Sequence, residues 1–70
     1  MDIKFNLISD IYNFIRIAQH HATDVRLQQD GYLVDGKSIL GIFALDLMRP
    51  VRCLVDDGNY EAFDAFVNKM

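Results

Sequence analysis

The dipeptide Asp30-Gly31 sits between two short alternating runs, Val25 to Gln29 and Tyr32 to Asp35, and it constrains the fold more than any other feature. Asp-Gly between such runs signals a two-residue β-hairpin, whose tight turn needs residues that tolerate unusual backbone angles. A two-residue turn also sets register, pairing Gln29 with Tyr32 and Leu27 with Val34. Side chains alternate across a strand, so Val25, Leu27 and Val34 should face a core, while Arg26, Gln28, Leu33 and Asp35 face outward. A sheet of this kind is covered on one side and solvated on the other.

The rest of the chain supplies what covers it. Asp2, Lys4 and Asn6 alternate with Ile3, Phe5 and Leu7, which predicts a first strand over residues 2–7. Ser9-Asp10 offers an N-cap followed by an acidic first-turn residue. Ile11, Phe14, Ile15 and Ala18 then recur at helical spacing, flanked by Tyr12 and Ile17, and the helix should end at His20 or Ala22. The turn between strand and helix is therefore very short. Val51, Cys53 and Val55 alternate with Arg52 and Leu54 as a fourth strand. Asp56-Asp57-Gly58-Asn59 is a turn, and a last helix carries Ala62, Phe63, Phe66, Val67 and Met70 on one stripe, opposite Glu61, Asp64, Asn68 and Lys69. The predicted order is βαββαβα in a single domain, 1–70. The fold class is α/β in the α+β sense, an open-faced sandwich with a four-stranded antiparallel sheet and three helices on one face.

The stretch from Asp35 to Pro50 carries the middle helix. Ser38 can cap it, its hydroxyl accepting a hydrogen bond from a free first-turn amide. Ile39 to Met48 is nearly all apolar, and Arg49-Pro50 stops the run, because proline disfavours helix in the residue before it. The expected helix is Ser38–Met48. Ile42, Leu45 and Met48 should face the sheet, leaving Ile39, Leu40, Phe43 and Leu47 partly on the other side. A helix with that much apolar surface is either buried all round or offers a face to a partner.

Seventy residues bury a thin core, about 60% of the surface the unfolded chain exposes. The lone Cys53 cannot form an internal disulfide and sits mid-strand facing the core without a neighbouring His or Lys, which suggests an inert buried thiol in a reducing compartment. No basic leader precedes an apolar run and no run spans a bilayer, so a cytoplasmic protein is expected. Net charge is −3 and the seven Lys and Arg are scattered, without the basic stripe by which nucleic-acid binding usually shows. Asp24, Asp30, Asp35, Asp56 and Asp57 lie in turns, where Asp is favoured for local hydrogen bonding. Asp56-Asp57-Gly58-Asn59 lacks the spacing and terminal Glu of a calcium loop, and no Gly-rich phosphate loop appears. No metal or cofactor is expected.

The Asp30-Gly31 hairpin, followed by Lys37-Ser38-Ile39-Leu40-Gly41-Ile42-Phe43-Ala44-Leu45, resembles the regulatory-serine segment of HPr, the small phosphocarrier of the bacterial sugar phosphotransferase system. The element order agrees with the open-faced sandwich of that family, and the likeness runs without gaps from the first helix to Val55. It departs at the phosphocarrier site. HPr proteins place Gly, a phosphoacceptor His, an Arg and a Pro in a loop before helix one; here Leu7 lies where the histidine would and Ser9 where the arginine would. That chemistry needs an imidazole beside a helix N-terminus and a cation. His20 and His21 lie at the opposite end of the helix, where the dipole repels a phosphoryl group, and are expected to be helix-terminal residues near solvent.

The resemblance thus implies a non-catalytic HPr-like module rather than an enzyme. It implies Ser38 as a site for an ATP-dependent HPr-type kinase, and Ile39, Leu40, Phe43 and Leu47 as the contact surface for a protein partner. Such a partner could be that kinase or a transcriptional regulator. Alternatives are a phosphocarrier with another acceptor, or a structural module that closes a homodimer; the chain itself would be a monomer or weak homodimer.

Overall fold

A computed structural model describes residues 1–70. The elements are β1 (Asp2–Ile3), α1 (Ile8–His20), β2 (Val25–Gln29), β3 (Tyr32–Asp35), α2 (Ile39–Phe43), β4 (Val51–Val55) and α3 (Glu61–Lys69). The order is the expected βαββαβα. The strands form one antiparallel sheet in the order β1-β4-β2-β3, with three helices, and the fold is α+β.

The hairpin register is the one the turn dictates: Gln29 opposes Tyr32 and Leu27 opposes Val34. Asp30 takes the left-handed conformation, at φ 54°, which a short polar side chain tolerates better than a branched one. On β2 and β4 the alternation is complete, with Val25, Leu27, Val51, Cys53 and Val55 buried. Gly36 follows β3 where a Cβ would lie 3.0 Å from the Val25 carbonyl oxygen, a tight contact that glycine avoids.

One continuous core lies between sheet and helices. Ile11, Phe14, Ile15 and Ala18 of α1 are all buried in it, as the spacing predicts. Phe14 is its centre. Its ring meets Phe5 edge-on at 5.5 Å and lies 5.6 Å from Phe63 and 6.1 Å from Phe66, joining the chain after β1 to α1 and α3. Edge-on and tilted aromatic pairs add to simple burial because ring edges and faces carry opposite charge. On α3 only Phe63 and Phe66 are buried; Ala62 and Met70, expected on the core stripe, are exposed.

Four local expectations are corrected. β1 is two residues rather than six: it pairs only with Arg52 and Val51 of β4, which begins just after a proline that has no amide to pair. Phe5 still points inward, but Leu7 is exposed. Helix α1 starts at Ile8, not after Ser9; the Asp10 carboxylate reaches back and accepts from the amides of Asn6 (3.2 Å) and Leu7 (3.0 Å), so Ser9 is inside the helix. Finally, α2 ends at Phe43 rather than Met48. The Asp46 N–H, which would continue the helix, is instead donated to the side chain of Gln29 at 2.7 Å.

Candidate docking site

Gln29, the last residue of β2, is buried although polar. Its amide oxygen accepts from the Asp46 N–H (2.7 Å), and its amide nitrogen donates to the carbonyls of Asp46 (2.7 Å) and Pro50 (3.3 Å). A primary amide both gives and takes, so one side chain satisfies a backbone that has left its helix. The stretch from Ala44 to Pro50 is therefore a pinned loop. Leu45 plugs the core, Leu47 packs partly against it, and Met48 is left outside.

A second tie lies on the surface. Arg49 spans two carboxylates, with Nη2 2.8 Å from Asp30 Oδ2 and Nε 3.0 Å from Asp46 Oδ2. The hydrogen bond from Arg49, and then its charge, holds the Asp30 carboxyl below its ordinary range. Asp46 is lowered by Arg49 and then by the Met48 amide, which donates to Asp46 Oδ1 at 3.1 Å. The hairpin turn and the α2–β4 loop are thus held to each other.

The pinned loop faces the β1–α1 junction, and between them runs an apolar groove of about 350 Å³. Leu7 and Ile8 form one wall; Phe43, Leu47 and Met48 form the other; Phe5, Ile11 and Leu45 line it below. Leu40, three residues before Phe43 and so on the same side of α2, is also exposed. The exposures decide which side chains are free: Leu7 64%, Ile8 63%, Leu40 81%, Phe43 47% and Met48 84%. Scattered exposed apolar residues mean little, but contiguous ones on a small protein mark a contact surface.

Of the four residues expected to make contacts, Leu40 and Phe43 are exposed, while Ile39 and Leu47 are half-buried and packed on the core. Leu47 does not belong to α2 at all, and Met48 points to solvent rather than to the sheet. The sequence reading missed Leu7 and Ile8 as well as Met48. A signal existed for the first two, since two adjacent large apolar residues at a strand-to-helix junction cannot both point inward.

Ser38 caps α2 as expected, its Oγ accepting from the Gly41 N–H at 3.1 Å. The side chain is partly exposed. Beside it, the Asp35 carboxylate accepts from the Lys37 N–H at 2.9 Å, and Lys37 makes no ion pair.

The remaining candidates have local roles. His20 is exposed. His21 is partly buried, correcting the expectation that both histidines stand near solvent: its Nε2 lies 3.0 Å from Asp57 Oδ1, and its ring sits 5.5 Å from that of Phe63. The Asn59 amide, and then His21, keep the Asp57 carboxyl below its usual range. This contact braces the end of α1 against the β4–α3 turn, about 18 Å along the helix from Ile8. Cys53 is fully buried, and burial pushes its thiol up to about 11. No cluster of three His, Cys, Asp or Glu side chains is placed to hold a metal ion, and no helix is long and apolar enough to cross a membrane. No family model matches the chain, and no curated protein or solved structure matches it significantly.

Proposed function

We propose that this chain is a non-catalytic, cytoplasmic HPr-like module. It binds a protein partner through the apolar face of α2 and the β1–α1 junction, with Ser38 as the site of regulatory phosphorylation. The observation that carries the reading is Leu7. It occupies the position where the resemblance places the phosphoacceptor histidine, and it is an exposed leucine in the same groove as Phe43 and Met48. Where a phosphocarrier needs an imidazole, this chain has an exposed leucine. Asp10 moreover takes the amides of Asn6 and Leu7 and puts a negative charge at the helix start, where a phosphoryl group would have to sit. Desolvating such a face favours association by roughly 25 cal/mol per Å² of apolar surface before the costs of binding are counted.

A phosphate on Ser38 would bring about −1.5 to −2 of charge to the start of α2, close to Leu40 and next to Lys37. It would place Asp35 opposite a like charge. Partner affinity would respond because the added charge lies at the rim of the apolar face. The partner class that fits is an HPr-type kinase or a transcriptional regulator.

The test is affinity capture from the protein's own cells with wild type and Leu40→Asp as baits. A protein retained by wild type and lost with Leu40→Asp supports the reading; identical retention by both removes it. Incubation with ATP and an HPr-type kinase, read by mass, tests Ser38 separately, with Ser38→Ala as the blank.

A further inference from the structure

We infer that the groove between the β1–α1 junction and the α2–β4 loop is occupied by a second copy of this chain, packed about a two-fold axis. The inference rests on this face being a docking surface; the second copy holds it reversibly, in competition with the partner proposed above. Area is the first argument. Taking about 190 Å² for a fully exposed large apolar residue, within the range for aromatic side chains, the exposures of Leu7, Ile8, Leu40, Phe43 and Met48 offer at most roughly 650 Å² per copy. Two copies would bury at most about 1,300 Å² before any polar rim is counted, inside the range of specific interfaces but at its low end. A reversible dimer follows, not an obligate one.

Shape is the second argument. A two-fold contact uses the same patch on both copies, so that patch must hold both a recess and something to fill it. Here the recess is the groove of about 350 Å³, and Met48 at its rim is flexible and more than four-fifths exposed.

Charge is the third. The groove's lining has one cation, Lys4, and one carboxylate, Asp46. Lys4 pairs with no carboxylate, its ammonium donating only to the Phe5 carbonyl at 3.0 Å. Asp46 is already held by Arg49 of its own copy at 3.0 Å, so the groove presents a near-neutral lining on which a second copy, pressing the same patch, brings no excess charge. A strongly acidic or strongly basic partner finds no such match.

The test is sedimentation velocity from about 10 µM to about 1 mM on wild type, Phe43→Asp, Met48→Asp and Leu33→Asp. Leu33 lies on the opposite, solvated face of the sheet, and Met48 is exposed enough that its replacement leaves the core intact. Wild type and Leu33→Asp should rise toward twice the monomer mass. Phe43→Asp and Met48→Asp should need at least about tenfold higher concentration to do so. Wild type that stays monomeric throughout overturns the proposal, as does a dimer that survives both variants or is lost with Leu33→Asp. A monomer whose Leu40→Asp variant still loses a captured protein leaves the docking face standing and removes only self-association. A monomer that captures nothing removes both.

Discussion

Replacing Gln29 with leucine should destabilise the protein by about 2 kcal/mol. The substitution keeps size and burial but removes hydrogen bonds to the Asp46 N–H, the Asp46 carbonyl and the Pro50 carbonyl. Each contributes a net ~0.5–1.5 kcal/mol, and the longest, at 3.3 Å, the least. The apolar side chain returns part of that total through burial. In a domain of this size the change corresponds to a fall in Tm of about 8–16 °C.

Gln29→Glu separates the hydrogen bonds from mere volume. A carboxylate can still accept from the Asp46 N–H, but it has nothing to donate to the two carbonyls and would bury its charge against their oxygens. Its folded-state pKa must rise, so its penalty is small below the unfolded value of about 4.3 and grows as pH increases through it. Urea denaturation followed by circular dichroism at pH 7 and pH 4 measures all three proteins. A Gln29→Leu protein within about 0.5 kcal/mol of wild type, or a Gln29→Glu protein equal to wild type at pH 7, would refute the clamp.

Ser38→Ala should cost about 1 kcal/mol, since the Gly41 amide loses its cap, and Ser38→Asn should recover most of it; chemical denaturation checks both. Arg49→Ala should alter the acid limb of the stability curve. Asp30 and Asp46 have folded pKa values below their unfolded ones, so their contribution is full above the ordinary carboxylate range and is lost as pH falls through the lowered values. Without Arg49 that loss shrinks, and a pH series of melting temperatures below about pH 4 should be flatter than wild type. Cys53 should resist thiol reagents in the native state and react at once in urea; with a pKa of about 11, only about 0.1% is thiolate at pH 8 even before burial limits access. A thiol-titration time course with and without urea measures this.

The strands could be read because their information is local. Alternation in Val25–Gln29 and Val51–Val55, with a two-residue turn between Gln29 and Tyr32, determines both facing and register. The core face of α1 was equally plain from Ile11, Phe14, Ile15 and Ala18. Where the reading departed from the fold, the deciding contact was distant or depended on a neighbouring strand's end. Helix α2 stops early because Gln29, seventeen residues before Asp46, takes the amide the helix would have used. Strand β1 pairs only with Val51 and Arg52 of β4, which begins just after Pro50.

The site followed the same division. Leu40 and Phe43 could be picked out from the periodicity of α2. Met48 could not, because the loop that exposes it is set by Gln29. Leu7 and Ile8 became part of the surface only once the β1–α1 junction lay across from that loop.

Photo-crosslinking in the protein's own cells tests the central claim most directly. A benzophenone amino acid at Met48, exposed on the groove rim, is compared with the same probe at Leu33 on the open face of the sheet. Adducts of discrete higher mass from position 48, absent from position 33, are the predicted result. Adducts from position 33 alone, or none from position 48, would contradict a docking face built from α2 and the β1–α1 junction.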